Sequence, residues 1–196
     1  MQEDITHLYS QWAVMHDDQI HAMAVKDPSW RARNNLHLVK SSPALSLLDP
    51  LTVECSSLKR LDYDYFGSGL INVVSGTLAD FLRPHVHAEF IPITVLHNGH
   101  VYTERPLLLM HLLDQFPAMD LEKSNYTEWT EEDGGGINRV EKLVLNGEAI
   151  GNSTAFVLDE IPQLCVRNDL AKAMRNADFK GLKFNPLNTY QNVRPN

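Results

Sequence analysis

Two stretches of this 196-residue chain read alike, and that likeness restricts the fold more than any single motif does. Val74-Ser75-Gly76-Thr77-Leu78-Ala79-Asp80-Phe81-Leu82-Arg83 is echoed by Val166-Arg167-Asn168-Asp169-Leu170-Ala171-Lys172-Ala173-Met174-Arg175. Each opens where an apolar run ends at a valine. Ser75 and Asn168 are residue types that cap helices, and apolar side chains then recur at helical spacing: Leu78, Phe81 and Leu82, then Leu170, Ala173 and Met174. The echo resumes beyond the helix, where Phe90-Ile91-Pro92 answers Phe184-Asn185-Pro186. The expectation is a strand-helix-strand unit used twice, an internal duplication. Two copies are too few for a solenoid, which stacks three or more, so residues 1–196 read as a single domain with pseudo-symmetry.

Turn residues refine that picture. Asn98-Gly99 and Asn146-Gly147 each sit between apolar runs, the pattern of a two-residue hairpin. If the first is such a turn, His97 faces His100, and the pairing extends to His87 with Met110 and His111 with Val86. Thr130-Glu131-Glu132-Asp133-Gly134-Gly135-Gly136 joins like charge to backbone freedom and reads as an exposed loop outside any regular element. Residues 1–66 are the least legible part. Leu36-His37-Leu38-Val39, Ala44 to Leu48 and Leu51-Thr52-Val53 are short apolar runs broken by Pro28, Pro43 and Pro50, which points to short strands and turns. The fold class expected is α+β, a mixed, largely antiparallel sheet with short helices.

Length and composition suffice for a globular core without staples. A net charge of −8 with scattered Lys and Arg argues against a nucleic-acid surface and favours encounter with a basic partner. Cys55 and Cys165 are far apart and lack CxxC spacing, so neither a zinc site nor a disulfide framework is indicated. No apolar run reaches the length of a signal peptide or a membrane span, and the expected location is the cytoplasm, away from any membrane.

A search for chemistry finds little. His85, His87, His97, His100 and His111 form the densest histidine grouping, but catalytic zinc wants three converging protein ligands, and the hairpin register puts His111 on the face opposite His85 and His87. No HExxH spacing occurs. Gly67-Ser68-Gly69 is not a GxSxG elbow, Gly134-Gly135-Gly136 lacks the ending of a phosphate loop, and Cys165 sits in an apolar run that would quiet its thiol. Asp62-Tyr63-Asp64 and Glu131-Glu132-Asp133 read as solvated polar stretches. No catalytic residue, metal ligand or cofactor is expected.

Three features in fixed order carry a family resemblance: Val74 to Arg83 with Phe90-Ile91-Pro92, then Asp120-Leu121-Glu122-Lys123-Ser124, then Gly181-Leu182-Lys183-Phe184-Asn185-Pro186. On these the chain resembles immunity family eleven of bacterial polymorphic toxin systems, over about Gly67 to Tyr190, leaving 1–66 uncovered. The resemblance implies a non-enzymatic protein that binds and neutralises a cognate toxin domain encoded by a neighbouring gene. It supplies no contact residues. Charge alone selects Glu131, Glu132 and Asp133, with Asp120 and Glu122, as toxin-binding candidates, while a recurring motif such as Asp120 to Ser124 is better suited to bracing the fold through a cap or turn. Trp12, Trp30, Trp129 and Tyr126 are candidate hot-spot aromatics. A metal-dependent enzyme built on the histidines and an adaptor of a secretion apparatus are the alternatives, and self-association as a homodimer stays open.

Overall fold

The computed structural model describes residues 4–14, 23–38, 40–43, 47–68, 71–133 and 135–190; Ala44, Leu45 and Ser46 of the apolar run noted above lie outside them. In chain order the strands begin with β1 (Tyr9–Val14), β2 (Met23–Val25), β3 (Thr52–Cys55), β4 (Tyr65–Ser68) and β5 (Ile71–Ser75). They continue with β6 (Ala88–Pro92), β7 (Thr94–His97), β8 (His100–Val101), β9 (Leu107–Leu112) and β10 (Gln115–Phe116). The last five are β11 (Asn125–Glu128), β12 (Ile137–Lys142), β13 (Ala155–Leu158), β14 (Gln163–Arg167) and β15 (Leu182–Pro186). Helices α1 (Trp30–Leu38), α2 (Leu58–Leu61), α3 (Gly76–Leu82), α4 (Gly147–Ile150) and α5 (Asn168–Asn176) are all short. The chain is therefore α+β, with strands that are mostly antiparallel.

It divides into two compact units, one of Met1–Ala13, Asp114–Ala173 and Phe184–Asn196, the other of Val14–Leu113 and Met174–Lys183. The second unit holds two sheets, in the orders β4-β5-β9-β6 and β2-β3-β7-β8. Its core gathers Trp30, Val53, Leu61, Phe66, Ile71, Val73 and Leu109, all 2% exposed or less. The first unit is built on one sheet, in the order β10-β13-β14-β1-β15, over a core that includes Tyr9, Val140, Leu145, Phe156, Leu158 and Cys165. β3 pairs with β7 and β10 with β13 in parallel.

Both expected strand-helix-strand segments form, as β5-α3-β6 and β14-α5-β15. In each sheet the strand entering the helix and the strand leaving it flank one intervening strand, β9 in one and β1 in the other. Finer contacts match too. Tyr65 pairs with Val74 as Ala155 pairs with Val166. At the helix entrances the Ser75 amide donates to the Asp64 carbonyl (2.9 Å) and the Arg167 amide to that of Thr154 (2.7 Å). The caps differ. Ser75 Oγ accepts from the Leu78 amide at 3.1 Å, the N-cap role expected of it. Asn168 instead accepts from Ser10 Oγ and donates to the His7 carbonyl, tying α5 to the chain just before and within β1.

Four expectations need correction. Residues 30–38 are helical rather than strand or turn: Pro28 and Ser29 follow Asp27, whose carboxylate accepts from the Ser29 amide, and the Trp30 amide donates to the Asp27 carbonyl. Arg33 and Ser29 together hold that carboxyl down at about 2. Asn146-Gly147 is no hairpin; the Asn146 side chain accepts from the Glu148 and Ala149 amides and caps α4. Asn98-Gly99 is one, with both residues at positive φ and His97 opposite His100. Its register carries on to Tyr102, whose amide donates to the Val95 carbonyl (2.8 Å), and ends there, because β6 and β7 belong to different sheets separated at Ile93. Hence Glu89, not Val86, lies opposite His111, and Phe90 opposite Met110. Finally, Glu131–Asp133 form one 3-10 turn inside the loop expected to be irregular.

Candidate interaction surface

In the first unit, β11 and β12 form a two-stranded antiparallel ribbon that joins none of the other three sheets. Alternation gives it two faces. Val140 is fully buried and its partner Tyr126 half-buried against the core, while Thr127 and Arg139 lie opposite one another in solvent. Asn125 donates to Glu141 across the strands at 2.9 Å, and Arg139 pairs with Glu141 at 3.2 Å. Register shifts flank the central pairs, so the ribbon is bulged. At its tip the Trp129 amide donates to the Gly136 carbonyl (2.9 Å) and the Gly135 amide to that of Thr130 (3.0 Å). Gly135 and Gly136 take φ of 71° and 83°, where a side chain would be strained.

The candidate carboxylates distribute unevenly over this surface. Glu131 and Glu132 stand exposed on the tip, and Asp133 closes the same turn. Glu122 is exposed on the turn leading into β11. Asp120 has a different place: its carboxylate accepts from Lys123 Nζ (2.6 Å) and the Lys123 amide (3.2 Å), and its carbonyl from the Ser124 amide. Lys123 holds its carboxyl below the usual carboxylate range. Ser124 Oγ in turn accepts from the Val144 amide. Asp120 to Ser124 thus brace the entrance to the ribbon, and the backbone fixes Asp120 in that task.

From Asp120 to Lys142 the chain carries Asp120, Glu122, Glu128, Glu131, Glu132, Asp133 and Glu141 against Lys123, Arg139 and Lys142, half of the net charge of −8. Lys123 and Arg139 are engaged by Asp120 and Glu141. Among the described residues, Glu122, Glu128, Glu131 and Glu132 have no ion-pair partner. Of the candidate aromatics, Trp12 and Trp30 are core, at 1% and 2% exposure, and Trp30 donates its indole N–H to the Asp49 carbonyl. Trp129, at 39%, is the indole that remains accessible, with Leu121 at 49%. The signal that separates Trp129 from the other two is its setting, a tryptophan between Glu128 and an acidic glycine-rich loop instead of within an apolar run.

The remaining groups sit in structural roles. His97 uses Nδ1 on the Cys55 carbonyl (2.8 Å), and buried His111 lies between Glu89 Oε2 (3.4 Å) and the Lys40 carbonyl (3.2 Å). Among the described residues no three His, Cys, Asp or Glu side chains converge on a metal-sized site. Burial raises the Cys165 thiol far above the range of a nucleophile. An open groove of the second unit is lined by Pro92, Ile93, Tyr102 and Pro106, with Arg105 bound to Asp64 (3.1 Å) and the Leu61 carbonyl (3.0 Å). No helix of the described residues is long and apolar enough to cross a membrane.

Comparison with known proteins gives one match, to the model of the immunity protein family (Imm11), over residues 51–189. It begins at Leu51, before the Gly67 at which the motif resemblance starts. It takes in both strand-helix-strand segments and the ribbon, and leaves out β1, β2 and α1. No curated protein matches the chain.

Proposed function

The chain belongs to the immunity protein family (Imm11), and on that premise we propose that it binds a cognate toxin domain stoichiometrically and neutralises it in the cytoplasm of the producing cell. Its partner is the toxin domain encoded by a neighbouring gene, and its role lies in interbacterial competition. The family match carries the reading. It is supported by an acidic two-stranded ribbon that joins none of the other three sheets.

The contact surface we assign is that ribbon, with Glu131, Glu132 and Asp133 at its tip and Glu122 beside it. Exposed carboxylates such as Glu131 and Glu132 speed encounter with a cationic enzyme surface and orient it, and the accessible indole of Trp129 provides the apolar anchor that hot spots require. Asp120 contributes through the turn it braces. The paired topologies of the two sheets support descent of both units from one duplicated strand-helix-strand ancestor. We take the two units as one domain in function, since neither is continuous in sequence.

Titration calorimetry against the C-terminal domain of the large protein encoded next to the gene, with co-expression rescue of cells producing that domain, tests this. One-to-one binding with rescue is expected. Absence of both with a folded toxin domain overturns it. Binding to secretion machinery in place of the toxin establishes the adaptor alternative.

A further inference from the structure

Residues 177–181 lie in the Met174–Lys183 segment of the second unit, which is flanked in sequence by stretches of the first, and they add no strand to either of its sheets. One short stretch, Asp62 to Tyr65, receives them. The Asp64 amide (2.9 Å) and the Tyr65 amide (3.3 Å) both donate to the Lys180 carbonyl, and the Lys180 amide donates back to Asp64 Oδ2 at 2.8 Å. Lys180 Nζ pairs with Asp62 at 2.6 Å, and Phe179 sets its ring edge-on to Phe81 with centroids 5.2 Å apart. Asp64 is itself held by Ser75 Oγ (2.6 Å) and Arg105 (3.1 Å), so the receiving side is rigid.

Asp178 takes φ of 59° without being glycine, and Gly181 takes φ of 81°. A Cβ on Gly181 would run into the Tyr65 carbonyl oxygen and approach the Tyr63 Cβ to 2.8 Å. A short segment with two residues in the left-handed region, exposed at Ala177, Asp178 and Lys180 and fastened by a few hydrogen bonds, one ion pair and one ring contact, has the ingredients of a local opening unit.

We propose that residues 177–181 form a latch on the second unit, fastened through Asp64 and Lys180, which opens while both sheets of that unit keep their strands. It is a conformational device of the fold, and it stands apart from the toxin contact. Closing it requires glycine at 181, which gives the Gly181-Leu182-Lys183-Phe184-Asn185-Pro186 segment a physical reason for its first residue.

Native-state hydrogen exchange of the full chain, read by mass spectrometry alongside limited trypsin cleavage after Lys180, tests the latch. In the parent protein the amides of Asp64, Tyr65 and Lys180 exchange with weaker denaturant dependence than those of β5 and β9. Gly181→Ala blocks closure, so exchange at those amides and cleavage after Lys180 rise at least on the order of tenfold, with β5 and β9 unchanged. Phe179→Ala, which leaves the backbone alone, moves the same readouts in the same direction should Gly181→Ala fail to fold. Latch and strand amides accelerating together, or neither moving, overturns the proposal.

Discussion

Reversing the charge of the ribbon tip, Glu131→Lys with Glu132→Lys, isolates the electrostatic part of the proposed toxin contact. Both side chains are exposed and have no ion-pair partner among the described residues, so the fold loses nothing specific, and stability stays within about 0.5 kcal/mol. The double change takes the net charge of −8 halfway to zero. Two unit charges 4 Å apart in water interact by about 1 kcal/mol, and exposed pairs retain about 0.2–1 kcal/mol of that. Turning two attractions into repulsions costs roughly twice the sum, about 0.8–4 kcal/mol, or about fourfold to nearly a thousandfold in Kd. Because the groups are solvated, most of the loss sits in the association rate and shrinks once salt brings the Debye length to about 8 Å. Stopped-flow association and calorimetry at low and physiological ionic strength measure both terms. An unchanged association rate at low salt, with Kd within about twofold, refutes the assignment of the tip to the interface.

Other expectations concern the fold beneath that surface. Asn146→Ala removes the acceptor of two amides at the start of α4 and lowers stability by about 1 kcal/mol, seen as a fall in Tm of about 2–4 °C; Asn146→Asp preserves it. Phe156→Ala empties a fully buried site that holds Tyr9 (5.4 Å) and Phe116 (5.8 Å) against its ring, and costs about 3–5 kcal/mol in denaturant unfolding. Glu160 has one oxygen on the Met119 amide (2.9 Å), the other enclosed without a partner among the described residues, and a carboxyl raised by burial. An acid raised in the folded state is ionised first in the unfolded chain, so its cost appears as pH climbs past the ordinary glutamate value. Glu160→Gln keeps the acceptor and removes the charge, so Tm rises at pH 7 and stays level at pH 4; a fall at pH 7 contradicts this.

Much of the architecture was readable because it rests on local pattern. Ser75 before Leu78, Phe81 and Leu82 announced both helix and cap, and Asn98-Gly99 announced its turn, since each depends on residues a few positions apart. The failures share a cause. Asn-Gly at 146 has the same turn propensity as at 98, but Glu148 and Ala149 offer their amides to Asn146, and a helix start replaces the hairpin. The register beyond Tyr102 could not be extrapolated, because the move from one sheet to another at Ile93 is a packing event that leaves no periodicity. The start of α1 was legible in principle from Asp27-Pro28-Ser29 and was masked by its weakly amphipathic body. For the interaction surface, the acidity of the loop and the suitability of Asp120 to Ser124 for bracing a turn were plain, whereas the accessibility of Trp129 as opposed to Trp12 or Trp30 was not.

The sequence by itself determined the strand-helix-strand segments, the α+β class, the acidic loop and the family, because capping, alternation and motif order act within short windows. Tertiary structure alone decided which strands meet, that β1 from the far end of the chain completes the sheet of β13, β14 and β15, and that residues 177–181 fasten to Asp64 more than a hundred positions away. Those choices follow from burying two separate cores at once. The free energy of that burial depends on contacts between segments distant in sequence, and no local pattern encodes it.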